Sequence, residues 1–127
     1  MHENEIAKLI LDCAFKIHKE VGPGLLESVY EELLAYELLK IGLSVKRQVA
    51  IPLVYESIKM EIGFRADLIV ENKVIVELKS IEAILDVHKK IFLTYLKLSG
   101  LKLGLLINFR VSLLKDGIVR IVNKLDA

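Results

Sequence analysis

Hydrophobic residues recur every three or four positions in two stretches near the start of the chain, which is the period of an amphipathic helix. The first stretch covers 4–21 and stops at the Gly-Pro-Gly run 22–24, and the second covers 25–41 and stops at Gly42. Glycine commonly follows a helix end because it adopts the left-handed conformation easily. We therefore expect two helices that pack together, with Cys13 on the apolar face of the first and in the core.

From Ser44 onward, β-branched residues and alternating polarity replace the helical spacing, which is typical of strands. Pro52 marks an edge position or a bulge, because proline cannot donate to the hydrogen-bond ladder. The polar run 71–73 has the character of a turn between two of these strands. An antiparallel meander is therefore predicted. Its strands are expected over 45–51, 53–55, 60–70 and 74–78.

Helical spacing returns over 85–98, where Asp86 is a candidate cap and Gly100 a stop. The segment 103–109 is apolar on both faces, as a central strand covered by helices would be. If it runs parallel to strand 74–78, the helix between them is a right-handed crossover. The predicted fold class is α/β, a mixed sheet with an antiparallel meander flanked by helices. A turn at 115–117 and a strand over 118–122 complete one domain, 1–127.

The composition indicates a globular protein but does not indicate what it binds. Hydrophobic residues make up 54% and charged residues 28%, which excludes general disorder. A net charge of +1 and scattered basic residues mean that an anion-binding surface must come from local clustering, and the sequence shows no aromatic-rich platform for single strands. The polar start lacks a secretory signal and no apolar run reaches membrane-spanning length, so we expect a cytoplasmic protein with no membrane partner.

Three charged residues, Asp67, Glu77 and Lys79, interrupt the otherwise apolar hairpin predicted for strands 60–70 and 74–78. Glu77 and Lys79 share one face of their strand, and an even antiparallel register brings Asp67 beside them. Facing carboxylates repel, and burying them is costly unless a cation or hydrogen bonds compensate. The pattern favours a divalent metal at a strand end, where α/β sheets tend to bind ligands. From the residues alone, a solvated strand end or an ion pair of Asp67 with Arg65 or Lys79 remains the alternative.

This arrangement resembles a known nuclease superfamily. Asp67, nine intervening residues and Glu77-Leu-Lys79 on a hairpin followed by a helix resemble the PD-(D/E)XK nucleases. Gly24-Leu-Leu-Glu27-Ser-Val-Tyr30 looks like the motif of the GxxExxY proteins, a small prokaryotic group usually placed in that superfamily. The similarity covers nearly the whole chain and implies a restriction-endonuclease-like core. Further similar segments are 64–67, 76–79, 95–97 and 104–109.

The resemblance implies hydrolysis of phosphodiester bonds in nucleic acid, with DNA favoured over RNA. It implies that Asp67 and Glu77 coordinate Mg²⁺ or Mn²⁺, and the backbone carbonyl of Leu78 is a further candidate ligand. Lys79 would then assist the attacking water, and Glu27 would reach in from the second helix. The residues by themselves leave Glu27 open as an acid that favours a helix start. Candidate supporting residues are Tyr30, His88 and Tyr95.

One position departs from the family pattern. Related proteins usually carry a glutamine four residues before the tyrosine of the helix that follows the triplet, but here Ile91 precedes Tyr95 by four. An apolar residue loses the polar contact that glutamine makes in many of these nucleases. A catalytically impaired nucleic-acid-binding module, or a homodimeric assembly module, is therefore the alternative. The apolar runs 51–54 and 111–114 are candidate contact segments for a homodimer.

Overall fold

A computed structural model, which describes residues 1–126 apart from the side chains of residues 53 and 61–63, places five strands in one sheet. The strand order is β1-β2-β3-β4-β5, and neighbours are antiparallel except for β3 and β4, which are parallel. The predicted mixed sheet is therefore confirmed, with α3 as the crossover. The elements are α1 (Glu3–Val21), α2 (Glu27–Lys40), β1 (Val45–Tyr55), β2 (Ile58–Val70), β3 (Val74–Lys79), α3 (Asp86–Ser99), β4 (Leu103–Asn108), a 3₁₀ turn (Leu114–Gly117) and β5 (Ile118–Val122).

Helices cover both faces of the sheet. The apolar faces of α1 and α2 pack on one side, against side chains such as Val76 and Leu105. On the other side, Phe92 and Leu96 of α3 pack against Ile75 and its neighbours. Strand β4 is buried along its whole length, as its apolar sequence predicted. The end of β3 therefore lies in the middle of the molecule's central layer, between two helical layers.

The β1–β2 hairpin carries two irregularities along its edge strand. The register shifts between Ile51 and Leu53, which confirms Pro52 as a bulge. Gln48 has a φ of +51°, a left-handed conformation that is rare for a non-glycine residue within a strand. The β2–β3 turn is regular by contrast, because Glu71 and Asn72 both have positive φ and match the twist of a tight hairpin.

The third helix starts differently from the prediction. Asp86 is its first residue rather than its cap, and the N-cap is Leu85, whose N–H donates to Nδ1 of His88 over 2.8 Å. The prediction that Asp86 caps the helix was therefore wrong, because His88 accepts the hydrogen bond from the free Leu85 N–H instead. Gly100 ends the helix with a φ of +75°, as expected. In residues 1–126 no helix combines the length and the apolar character needed to cross a membrane.

Candidate active site at the end of strand β3

Strands β2 and β3 separate at the predicted charged residues. Their regular ladder runs from the pair Val70 and Val74 to the pair Leu68 and Val76, so the next pair is Asp67 and Glu77. There the side chains take over the hydrogen bonding. Asp67 Oδ2 accepts from the Leu78 N–H over 2.9 Å, and Glu77 Oε1 accepts from the Asp67 N–H over 3.1 Å. The two carboxylates are thus held together where the strands part, in the register that the sequence predicted.

The surroundings of this pair disfavour negative charge. Burial, reinforced by repulsion from Asp67, raises the pKa of Glu77 to about 7. Burial also raises the pKa of Asp67, although the Leu78 N–H and the Gln48 side chain oppose the shift. Within the described part of the chain, neither carboxylate has a basic side chain within 4.0 Å, so the ion pair of Asp67 with Arg65 or Lys79, which the sequence left open as an alternative, does not form. No ion pair among the described residues therefore offsets the cost of burying this pair in its charged form.

Glu77 and Lys79 open onto a cleft between the sheet and α3. Its volume is about 290 Å³. Lys79 faces the same space as Glu77, as the alternation along β3 predicted, and its positive charge lowers the pKa values of both carboxylates. The cleft therefore gives access to Glu77 and Lys79. It is lined by Phe64, Arg65, Glu77, Lys79, His88, Ile91, Phe92, Tyr95 and Leu106.

The loop before α2 is tied down beside this site by Tyr30. The buried phenol donates to the Gly22 carbonyl over 2.7 Å and accepts from the Leu25 N–H over 3.1 Å. Its ring stacks on Phe109, with centroids 4.2 Å apart. Ser80, directly after β3, donates to the Leu25 carbonyl over 2.7 Å. Tyr30 therefore holds this loop in place through Gly22 and Leu25.

Gly24 and Glu27 complete the spacing that the sequence singled out. Gly24 has a φ of +89°, which a side chain rarely adopts, so the loop requires glycine there. Glu27 is the first residue of α2 and is exposed. It lines a hollow together with Ser80 and Arg110, and its charge contributes to the raised pKa of Glu77. The loop thus brings Glu27 to the margin of the site rather than between Asp67 and Glu77.

Few groups at this site could bind a metal ion. Among the side chains that the structure describes, no three or more His, Cys, Asp or Glu residues converge closely enough to hold a metal ion. Asp67 and Glu77 supply carboxylate oxygens, and Leu78 has a backbone carbonyl beside them. In an extended strand the N–H and C=O of one residue point to the same side. Because the Leu78 N–H points at Asp67, its carbonyl faces the same gap.

Sequence reasoning missed a polar network behind Asp67. The Gln48 amide donates to Asp67 Oδ1 over 3.2 Å and also to Glu31 Oε1. Glu31 is only 8% exposed and pairs with Arg47 over 2.9 Å, and Arg47 also pairs with Glu32 over 2.7 Å. One signal was available for Glu31, since it lies four residues after Glu27 and so on the same side of α2. Nothing in the sequence indicated Gln48.

The left-handed backbone at Gln48 belongs to this network. A non-glycine residue in that conformation costs roughly 1–2 kcal/mol, and such a cost persists where surrounding contacts enforce it. Arg65 Nη1 donates to the Gln48 carbonyl over 3.1 Å, while the side-chain amide bonds Glu31 and Asp67. Backbone and side chain of Gln48 are therefore both held. The consequence is a fixed donor aimed at Asp67.

The residues predicted on α3 line the cleft without touching the carboxylates. His88 caps the helix through Nδ1, so this nitrogen is occupied by the Leu85 N–H. Tyr95 stacks on Phe64 of β2, with ring centroids 3.5 Å apart and an angle of 11° between the planes. Ile91 is 43% exposed and contributes an apolar surface to the cleft. This wall of the cleft is therefore aromatic and apolar.

Comparison with known proteins agrees with this geometry. Searches of curated proteins and of solved structures each gave no significant match. A sequence model of the PD-(D/E)XK nuclease superfamily, however, matches residues 4–121. The match includes the acidic pair, Lys79, the sheet and the three helices, and the mixed sheet flanked by helices is consistent with a restriction-endonuclease-like fold. The chain belongs to the PD-(D/E)XK nuclease superfamily.

Proposed function

We propose that this chain is a metal-dependent nuclease that hydrolyses phosphodiester bonds in nucleic acid, with DNA favoured over RNA as the substrate. One observation carries the proposal. Asp67 and Glu77 are held side by side where β2 and β3 part, with raised pKa values and Lys79 facing the same cleft as Glu77. A fold does not gain stability from such a pair. Binding a cation and a phosphate would offset the cost of holding the two carboxylates together.

The donor set supports Mg²⁺ or Mn²⁺. Both ions prefer oxygen ligands, and Mg²⁺ in particular uses one or two carboxylates together with waters and substrate phosphates rather than a complete protein cage. Two carboxylates and the Leu78 carbonyl are oxygen donors of this kind. The small number of protein ligands therefore fits a site completed by water and substrate. When bound, such an ion lowers the pKa of a water ligand and neutralises charge that develops on the phosphate.

The side chains around the pair have separate roles in this proposal. Asp67 and Glu77 hold the ion, with Leu78 contributing its carbonyl oxygen. Lys79 orients the attacking water or donates a hydrogen bond to a phosphate oxygen, because its ammonium group carries donors only. Glu27, at the margin, positions a water rather than binding the ion directly. Ser80 and Tyr30 fix the loop that carries Glu27.

We also assign the chain to the GxxExxY group within the superfamily. The support is that Gly24, Glu27 and Tyr30 each have a distinct structural task. Gly24 allows the turn through its positive φ, Tyr30 ties the turn to the body of the protein, and Glu27 is delivered to the site. The spacing of the three residues therefore has a physical reason in this fold.

A second candidate function is nucleic-acid binding without turnover. Ile91 favours it, because the cleft has an apolar side chain where many nucleases of the superfamily have an amide that orients site groups. The acidic pair and Lys79 remain in place in either case. Binding that persists without cleavage would therefore point to this second candidate.

The test is a cleavage assay on single-stranded DNA, duplex DNA and RNA in Mg²⁺, in Mn²⁺ and in EDTA. We expect the wild type to cleave with either metal and not in EDTA. Glu77→Ala and Lys79→Ala should each lower the rate by roughly 10²–10⁴-fold, the usual contribution of a group that moves or positions a proton. Glu82→Ala, an exposed acid in the loop after β3, is the matched control and should leave the rate unchanged. Equal activity in all four proteins would contradict the assigned chemistry.

A further inference from the structure

The cleft extends beyond the acidic pair into an apolar space that the hydrolysis itself does not use. Phe92 and Leu106 are buried at its base, and Ile91 and Tyr95 form its helical wall. Phe64 joins this wall from β2 through its stack on Tyr95. Three aromatic rings and two aliphatic side chains thus surround a space directly beside Glu77. Such an apolar lining cannot stabilise a phosphate or a metal ion, because both need polar partners.

The polar groups of the cleft lie beside this apolar part. Lys79 and Arg65 are both cationic, and Arg65 is exposed. His88 is the third polar side chain of the cleft. Because its Nδ1 accepts from the Leu85 N–H, its ring carries the proton on Nε2 and can donate from there. Three donors therefore stand next to an aromatic wall. This combination matches a ligand that has a flat apolar face, hydrogen-bond acceptors on its edge and negative charge attached to it.

A nucleotide unit has these three properties. Its base offers a flat face for stacking on an aromatic ring, and its phosphate suits arginine and lysine. The volume of about 290 Å³ is at the low end of small-ligand sites, which suits one heterocyclic ring system rather than an extended ligand. We propose, on the basis of the nuclease function above, that this cleft binds one unpaired nucleobase of the substrate while its neighbouring phosphate lies at Asp67 and Glu77.

The proposal defines the substrate as nucleic acid with an unpaired nucleotide next to the cut. A paired base cannot stack on Tyr95 without leaving its helix, which costs a few kcal/mol and is cheapest where the strand is already single. Single strands, frayed ends and flaps are therefore expected to be preferred to intact duplex. Ile91 makes apolar contact without a hydrogen bond, so it adds affinity for any base rather than selecting one.

An abasic scan tests the subsite by binding alone. The probe is a fluorescent DNA hexamer of mixed sequence in EDTA, with one abasic nucleotide placed at each position in turn. We expect one position at which the missing base weakens binding of the wild type by about tenfold, the size of a lost stacking contact. In Tyr95→Leu the intact hexamer should bind about as weakly as the abasic one, so the abasic effect falls below about twofold. Tyr36→Leu, an exposed tyrosine on α2, should behave as the wild type.

Two further readings keep the result unambiguous. If Tyr95→Leu does not fold, Ile91→Glu replaces it, because this exposed position tolerates a charged side chain and a carboxylate on the apolar wall would lose water when a base packs against it. The abasic effect should then also disappear. An equal abasic effect in the wild type and in these variants, or no sensitive position, overturns the subsite even if the protein cleaves DNA with Mg²⁺. A sensitive position without any metal-dependent cleavage would instead overturn the catalytic proposal and leave the subsite standing.

Discussion

Glu77→Gln is expected to lower metal-dependent cleavage by more than about 100-fold, since even the outer partners of metal ligands are worth roughly 10–100-fold. The same substitution is expected to stabilise the fold at pH 8. Glutamine keeps the oxygen that accepts from the Asp67 N–H and removes the charge that is buried beside Asp67. Loss of activity and gain of stability should therefore occur in one variant.

The direction of the stability change follows from the raised pKa. Glu77 titrates near 7 in the folded protein and at 4.5 as a free group. Below pH 4.5 both states are protonated and the fold pays no penalty. Between pH 4.5 and 7 the unfolded chain loses its proton first, so the free energy of unfolding falls as the pH rises. Above pH 7 the penalty is complete, at about 3 kcal/mol.

Denaturant unfolding between pH 4 and pH 8.5 in EDTA measures this effect. Glu77→Gln should gain on the order of 3 kcal/mol over the wild type at pH 8 and almost nothing at pH 4, because only the wild type carries the charge at pH 8. Glu82→Gln, an exposed acid nearby, should follow the wild type across the whole range. A Glu77→Gln protein that is less stable than the wild type at pH 8 would show that the carboxylate is compensated in the fold.

Gln48→Met is expected to weaken Mn²⁺ binding and cleavage by roughly 10–100-fold without removing any metal ligand. Methionine has a similar length but cannot donate to Asp67 Oδ1 or to Glu31 Oε1, so the Asp67 carboxylate loses a fixed partner. Loss of that donor should also raise the pKa of Asp67 further. The acidic limb of the pH–rate profile should therefore move to higher pH.

Lys46→Met, at an exposed neighbouring position on β1, is the matched control for Gln48→Met. It removes a charge from the same strand without touching Asp67. The informative readout is the pH–rate profile, because a general loss of folded protein lowers the rate at all pH values without moving its limbs. An unchanged metal affinity and an unshifted profile in Gln48→Met would exclude a positioning role for Gln48.

The sequence predicted the acidic pair because its position depends on short-range rules. Strand side chains alternate with a period of two, and a tight turn at 71–73 fixes the register, so Asp67 and Glu77 had to meet. The element order followed in the same way from periodicity and from glycine stops such as Gly100. Lys79 followed from Glu77 by alternation. These predictions needed no knowledge of how distant segments pack.

The features that the sequence did not predict depend on contacts between distant segments. The bond from Gln48 to Asp67 requires a left-handed residue inside a strand, which no residue preference at Gln48 indicated. The stack of Phe64 on Tyr95 joins β2 to α3, so the scattered aromatic residues gave no sign of an aromatic wall. His88 replaced Asp86 as the group that caps α3. A homodimer through the runs 51–54 and 111–114 stays a prediction.

Calorimetric titration of Mn²⁺ into the wild type and into Glu77→Gln, at pH 6.0 and pH 8.5 in buffers of different ionisation enthalpy, tests the metal centre directly. A metal held by Asp67 and Glu77 must displace the proton that Glu77 carries below its pKa of about 7. The wild type should therefore bind one Mn²⁺ with release of nearly one proton at pH 6.0 and far less at pH 8.5, and Glu77→Gln should bind much more weakly at both. Equal binding by the two proteins, or no proton release by the wild type at pH 6.0, would contradict a metal site at this pair.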